Sequence, residues 1–246
     1  MKRYAKGGDL SYWSRDRIKS FEFMQKLGVP QKDEMLRFMI NVLSLKKERP
    51  RFLEIGGGLG AFTKMILKKY PQANLVFLDG SPDMLLNAKR KLNKHRNQVT
   101  FMQRDINDPD WHKEIQGSFD AVVSSWCLHY LSDVRQEPFF KEIFHLLRAN
   151  GIFLFSCSIK IKNKKFLDLY NELEHKRVLE IFDKKGIEVT HYQMSTMGHK
   201  EHRDARINPA SFDKYLMLMK GAGFTASGCI WKYLFNAVFQ AYKGRT

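Results

Sequence analysis

The spacing of hydrophobic and polar positions changes several times along the chain, and each change marks a predicted element. In residues 1–50, Met35, Phe38, Met39 and Val42 recur at i, i+3, i+4 and i+7, which predicts an amphipathic helix. An earlier apolar group, Leu10, Tyr12, Trp13, Ile18, Phe21 and Phe23, predicts another helix, set apart by Gly28-Val29-Pro30. Phe52, Leu53 and Ile55 then form the short apolar run of a strand covered on both faces. Gly56, Gly57, Gly58 and Gly60 break that run, and Thr63, Met65, Ile66 and Leu67 continue as a helix stopped by Pro71. Further strands are predicted at Asn74–Asp79, Val99–Met102, Phe119–Ser124 and Ile152–Ser156. Between them, Ser81-Pro82-Asp83 gives a cap, a proline at the first helical position and a first-turn acid. Phe139, Phe140, Ile143, Phe144, Leu146 and Leu147 predict the next helix, closed by Asn150-Gly151. Alternation of this kind demands a mostly parallel sheet with helices on both faces, a doubly wound α/β fold.

The last third reads differently. Asn163 opens a long helix whose apolar stripe is Phe166, Leu167, Tyr170, Leu173, Val178, Leu179 and Phe182, and Gly186 ends it. A short extended piece is expected at Ile187–Tyr192, then a polar stretch with His191, His199, His202, Arg203 and Arg206. Asn208-Pro209 begins a helix with Phe212, Tyr215, Leu216 and Met219 on one face. Phe224–Ile230 and Tyr233–Tyr242 read as a closing strand pair.

The glycine run carries the chemistry. Glycine adopts positive φ without steric penalty and lets a ligand approach the backbone, while the following helix exposes unpaired N–H groups. Gly56 to Ala61 satisfies G-x-G-x-x-A, a dinucleotide fingerprint. The same residues satisfy acidic-x-G-x-G-x-G, with Glu54 leading. Asp79 stands 23 residues after Gly56, at the end of the second strand, where a carboxylate accepts two hydrogen bonds from a ribose diol. Both a nicotinamide dinucleotide and S-adenosylmethionine fit these features.

Residues 50–156 resemble the class I S-adenosylmethionine-dependent methyltransferases in five ordered motifs: the glycine turn, Asp79, Arg104-Asp105-Ile106, Ser124-Ser-Trp-Cys-Leu-His-Tyr-Leu131, and Leu146-Leu-Arg-Ala-Asn-Gly-Ile152. Ala149 and Asn150 depart from the family's proline and glycine, which affects turn geometry more than chemistry. The resemblance implies a Rossmann-like sheet of seven strands, mostly parallel, with an antiparallel last strand, N-terminal helices and a lid insert. It implies S-adenosylmethionine as cofactor, held by Glu54, Gly56, Gly58, Gly60, Asp79, Gly80, Met84, Asp105, Ile106 and Ser125. It places Asp105 on the adenine amine and His129 past the fourth strand, as orienter or proton acceptor for the substrate. Trp126, His202, Arg203 and Arg206 become candidate acceptor contacts, the arginines because a guanidinium fork suits carboxylate or phosphate. Divided by these motifs, the single domain 1–246 comprises a helical cap (1–49), a cofactor core (50–156), a lid insert (157–207) and a last helix with its strand pair (208–246).

Charge and cysteines adjust this picture. The chain carries 42 basic and 26 acidic residues, a formal charge of +16. Residues 1–50 contribute 6 of that excess, 51–150 contribute 3 and 151–246 contribute 7, so the positive charge gathers outside the cofactor core. This motivates an RNA methyltransferase as the alternative. Ser124-Ser125-Trp126 lacks the Asn/Asp-Pro-Pro-aromatic motif of exocyclic amine methylation. A non-catalytic binding protein on the same fold is the other alternative, against which stand the retained acids. Three widely spaced cysteines, Cys127, Cys157 and Cys229, suit a reducing cytoplasm, and no apolar run approaches the ~20 residues of a bilayer span. The basic start has no apolar stretch behind it and is read as no signal peptide. His199 and His202 at i, i+3 have no third ligand nearby, so no metal is expected. A small-molecule acceptor, of anionic character, is the expected partner.

Overall fold

The computed structural model describes residues 32–184, Gly186 and 207–245. Its elements, in chain order, are α1 (Lys32–Val42), β1 (Arg51–Ile55), α2 (Ala61–Lys69), β2 (Asn74–Asp79), α3 (Pro82–Lys91), β3 (Val99–Gln103), β4 (Phe119–Ser125), α4 (Asp133–Leu146), β5 (Leu147–Ser158), α5 (Lys164–Lys184), α6 (Phe212–Ala222), β6 (Ala226–Tyr233) and β7 (Asn236–Tyr242). The seven strands form one sheet in the order β3-β2-β1-β4-β5-β7-β6. All neighbouring pairs up to β5 are parallel, and β7 runs antiparallel to both β5 and β6.

Consecutive strand residues serve opposite faces, as the pleat requires. On β4, Ala121 and Val123 join Phe52, Phe77 and Leu154 under α1, α2 and α3, whereas Val122 joins Leu53, Phe153 and Phe155 under α4 and α6. Two separate cores result, one per face. α1 closes the first with Met35, Leu36, Met39 and Ile40; of the stripe read from the sequence, Met35 and Met39 are buried and Phe38 and Val42 only partly so. α4 closes the second with Phe139, Phe140 and Ile143, and the Phe140 ring meets Phe153, Phe155 and Tyr215 edge-on or tilted. α3 begins as expected: Pro82 is its first residue, and the Ser81 hydroxyl accepts from Met84 N at 3.2 Å.

Two expectations are corrected. Asn150-Gly151 does not separate helix from strand. α4 ends at Leu146, and β5 starts at Leu147, with the Asn150-Gly151 turn built into it. The register slips from Phe119↔Leu147 to Ala121↔Ile152, so β5 carries a wide bulge here, with Asn150 at φ 59. Asparagine tolerates that left-handed backbone, which is why it replaces glycine at this position. The stripe of α5 is not turned into the core. Phe182 is its buried side chain among those described, while Phe166 is 56% and Leu173 42% exposed. Amphipathic spacing specifies a face without specifying what covers it. Asn163 does start this helix, its Oδ1 accepting from Lys165 N and Phe166 N. The expected helix before Gly28 and the extended piece at 187–192 lie outside the described residues.

At the amino edge of the sheet, Asp120 accepts from Arg51 N, Lys47 Nζ and Arg148 Nη1 at 2.7 to 3.1 Å. Partial burial works against its charge, but these three donors prevail and hold its carboxyl below the ordinary range. The opposite, carboxyl edge carries the cleft. Among the described residues, no helix is long and apolar enough to cross a membrane.

Candidate active site

Strand order reverses on either side of β1, so the turns leaving β1 and β4 diverge and open a crevice at their carboxyl ends. Glu54, Gly56, Gly57, Gly58, Asp79, Gly80, Met84, Asp105, Ile106, Ser125 and Trp126 all line it. The glycine turn is shaped by contacts on two sides. Gly56 has φ +64, and a Cβ there would overlap the Cys127 side chain. Gly58 has φ +56 with no atom within 4 Å of where a Cβ would stand, so its backbone faces open space in the cleft. A ligand can approach that backbone without meeting a side chain.

Asp79 ties the turn to the sheet. Its Oδ2 accepts from Gly58 N at 2.8 Å, and its Oδ1 accepts from Ser81 N at 2.9 Å. Each oxygen keeps a lone pair for a further donor. Burial raises its pKa to about 6, and the N–H groups of Ser81, Gly58 and Gly80 limit the rise. Glu54 is more deeply set, at 1% exposure, with the Thr63 hydroxyl donating to its Oε2. Burial raises its pKa to about 8, with Thr63 opposing and the Asp79 charge adding. At neutral pH, Glu54 is therefore mostly protonated and Asp79 mostly ionised. A cation placed beside Glu54 would draw the proton off.

The third acid sits on the loop after β3. Asp105 Oδ1 accepts from Asn107 N at 2.9 Å and from Asn107 Nδ2 at 3.3 Å. Arg135, 5% exposed, supports the same loop from below. It donates to Ile106 O at 3.3 Å and forks onto Glu142 at 3.0 and 2.6 Å, where Trp111 Nε1 also donates. Asp108 and Asp110 are turn residues, with Asp108 Oδ1 accepting from Asp110 N.

On the far side of the cleft, Trp126 adopts φ 51, a left-handed backbone unfavourable for a bulky residue. Its N donates to Ser156 O at 2.9 Å and its Nε1 to Asn236 Oδ1 at 3.2 Å, which hold the strained turn in place. Ser125 and Ser156 meet hydroxyl to hydroxyl at 3.3 Å beside it. Cys127 lines the cleft too, but burial and the charges of Asp79 and Asp105 push its thiol pKa up, so it stays protonated.

Two residues read from the sequence are placed elsewhere. Gly60 does not line the cleft; it caps α2 at φ 77 and faces Leu92. His129 is 5% exposed and tilts its ring against Tyr130 at 4.5 Å; Tyr130, not His129, lines the cleft. The short 3-10 turn Leu128–Tyr130 makes the difference, since it rotates each residue about a third of a turn from the one before. His202, Arg203 and Arg206 lie outside the described residues. Lys32, Leu36, Arg104, Asn107 and Tyr130 also line the cleft, and pattern reading missed them. Burial lowers the Lys32 pKa to about 8, with Asp33 opposing and Lys91 adding. Their signal was positional: a residue after each strand, or one at the start of a helix lying over the glycine turn.

Comparison with known proteins agrees with this geometry. A methyltransferase domain family matches residues 52–151, from β1 into β5. A carboxy-S-adenosyl-L-methionine synthase of Nautilia profundicola is 23% identical over 91% of this chain and 90% of its own length. A malonyl-[acyl-carrier protein] O-methyltransferase of Paenibacillus is 29% identical over 62% of this chain, which spans 51% of that relative's length. The Haemonchus contortus phosphoethanolamine N-methyltransferase 2, solved with S-adenosyl-L-methionine, superposes with a TM-score of 0.66 at 14% identity, over 96% of this chain and 58% of that one. The acid near the end of β1, the acid ending β2, the acid after β3 and the glycine turn thus fall on or beside the strands that the methyltransferase domain family matches, and the sheet has the fold of the solved methyltransferases.

Proposed function

We propose that the protein transfers a methyl group from S-adenosylmethionine to a small, anionic acceptor. The observation that carries this reading is the convergence of Glu54, Asp79 and Asp105 on one cleft around the open backbone of Gly58. The three acids stand in the order of three hydrogen-bond donors along the cofactor: amino group, ribose diol, adenine amine. Bound S-adenosylmethionine supplies a methyl group already activated by a sulfonium. The protein's part is then to orient and to exclude water. Asp79 receives the ribose hydroxyls on its remaining lone pairs. Glu54 releases its proton and holds the cofactor's ammonium. Asp105 accepts from the adenine amine, beside the N–H of Ile106. Ser125 and Trp126 wall the side from which an acceptor approaches.

An anionic acceptor is supported by the malonyl group in one relative's name and by the cationic stretch that contains His202, Arg203 and Arg206. Arg203→Ala or Arg206→Ala is expected to raise KM for the acceptor and leave S-adenosylmethionine binding unchanged. His129 is proposed to hold the loop that carries Tyr130. Cys127, Cys157 and Cys229 are free thiols, which supports a cytoplasmic setting. The test is calorimetry with S-adenosylhomocysteine followed by a methyl-transfer screen over metabolite mixtures. Absence of heat, or equal binding of NAD, would falsify the reading.

One observation favours a second reading. The carboxy-S-adenosyl-L-methionine synthase relative is matched along nearly its whole length. On that reading, S-adenosylmethionine is the substrate that gains a carboxyl group, and no S-adenosylhomocysteine is released. Release of S-adenosylhomocysteine with turnover therefore separates the two.

A further inference from the structure

The loop after β4 has its backbone held from two directions by asparagine side chains. From one side, Asn107 Nδ2 donates to Tyr130 O at 3.1 Å, and its Oδ1 accepts from Ser132 N at 2.8 Å. The same residue bonds Asp105 through both its backbone N and its Nδ2. From the other side, Asn208 N donates to His129 O at 2.6 Å, and its Nδ2 donates to Leu131 O at 3.2 Å and to Asp133 Oδ1 at 3.4 Å. Four consecutive residues, from His129 to Ser132, thus each give one backbone group to the clamp. Tyr130, in the middle, lines the cleft.

The two asparagines belong to different parts of the site. Asn107 is on the adenine side, next to Asp105 and Ile106. Asn208 begins a segment fastened to the acceptor side: Ala210 O accepts from Lys160 N at 3.0 Å, Ser211 bridges Lys160 just past the end of β5, and Ile159 N donates to Phe235 O at 2.7 Å. Among the described residues, the loop 128–132 is the piece of backbone that both asparagines grip. The hydrogen bonds thus run from Asp105 to Asn107, from Asn107 to Tyr130 and Ser132, and from His129 and Leu131 to Asn208.

We propose that Asn107 and Asn208 are positioning residues that make the 128–132 loop a coupling element between the adenine loop and the 208–211 segment. Engagement of Asp105 and Ile106 by cofactor fixes Asn107, steadies the loop and so orders the acceptor side before the acceptor arrives. Cofactor and acceptor then bind with positive cooperativity, because the second ligand meets a loop already ordered by the first. The coupling rests on the proposed cofactor reading.

The experiment is amide hydrogen exchange on the full chain, with and without saturating S-adenosylhomocysteine. In the wild type, exchange is expected to slow at least ~5-fold both at 128–132 and at 208–211, the lower end of typical coupling factors. In Asn208→Ala, which keeps the backbone bond to His129 O and loses both side-chain bonds, S-adenosylhomocysteine still binds and still protects 128–132, but the slowing at 208–211 is diminished. Asn208→Gln, which keeps an amide donor, regains part of it. Asn107→Asp keeps the acceptor for Ser132 N and removes the donor to Tyr130 O, and it reads the same coupling from the other end. If ligand binds but 208–211 does not respond in the wild type, or responds undiminished in Asn208→Ala, the coupling is wrong while the cofactor reading stands. If no ligand binds, both fall.

Discussion

Along the ends of β1, β2 and the loop after β3, the cleft is walled by acids, those of Asp79 and Asp105 tied to backbone N–H groups. Along the ends of β4, β5 and β7, the side chains in and behind its wall, Trp126 with Asn236 and Ser125 with Ser156, bond chiefly to one another. The first side is determined by local turns: Glu54 by its strand and Thr63 nine residues on, Asp79 by Gly58 and Ser81. The second is assembled across long separations, 110 residues in the case of Trp126 and Asn236. A site whose parts lie close in sequence keeps its geometry when distant parts of the chain change. A site closed by distant parts changes when any of them does. The difference separates a wall fixed over short separations from one that depends on distant strands.

Breaking the first side is expected to have the largest effect. On the proposed cofactor reading, Asp79→Ala removes charge-assisted bonds to the ribose, and it also releases Gly58 and Ser81. S-adenosylhomocysteine affinity should fall by ~1–3 kcal/mol, read by calorimetry. An unchanged affinity would mean the acid serves the turn alone. Gly56→Ala comes next. It forces a side chain onto Cys127 at positive φ, and a loss of ~1–3 kcal/mol of folding stability is expected in a denaturant melt.

Titration sharpens the same side. The pKa of Glu54 is raised to about 8 and that of Asp79 to about 6 in the folded protein, above their unfolded values. A raised carboxyl favours the folded state while protonated, so this contribution is full below about pH 4 and is lost as pH rises through 6 and then 8. The melting temperature of the ligand-free protein should therefore drift down across that window. Cofactor holding at Glu54 reverses the preference. Near pH 7, binding of S-adenosylhomocysteine should release up to about one proton, seen as heats that change with buffer ionisation enthalpy. Identical heats in phosphate and Tris would remove Glu54 from the ammonium's surroundings.

The smallest effect is expected on the second side. Asn236→Ala removes one neutral hydrogen bond from the Trp126 indole, about 1 kcal/mol. It should alter turnover of an identified acceptor while S-adenosylhomocysteine affinity stays at the wild-type value. If affinity falls as far as it does in Asp79→Ala, the two sides are not separate.

What the sequence made legible follows the same division. β2 was readable to the residue, and β1, β3 and β4 to within one or two, because short apolar runs between glycine, proline and capping residues leave few alternatives. The glycine turn and the three acids were readable because each stands at a fixed place after a strand. The facing of residues in a one-turn helix was not: Leu-His-Tyr gives no sign that Tyr130 and not His129 faces the cleft. Nor was the bulge at Asn150, since a turn between helix and strand has the same residues as a turn within a strand. Asn107 has no role in the sequence pattern, and Asn208 reads from it as the start of a helix that Ser211 in fact caps, because asparagine after a strand or before a proline is ordinary turn chemistry. Their partners are 23 to 79 residues away, and no local pattern contains them.

β7 opposes its neighbours, so its first residue, Asn236, reaches the ligand edge where every parallel strand delivers its last. The two residues Leu234 and Phe235 that join β6 to β7 therefore hang over the same edge, with Leu234 at φ 44. Such a hairpin can lengthen or shorten without disturbing any strand that carries a cofactor acid. The reversal puts at the ligand edge a segment independent of the strands that carry Glu54 and Asp79.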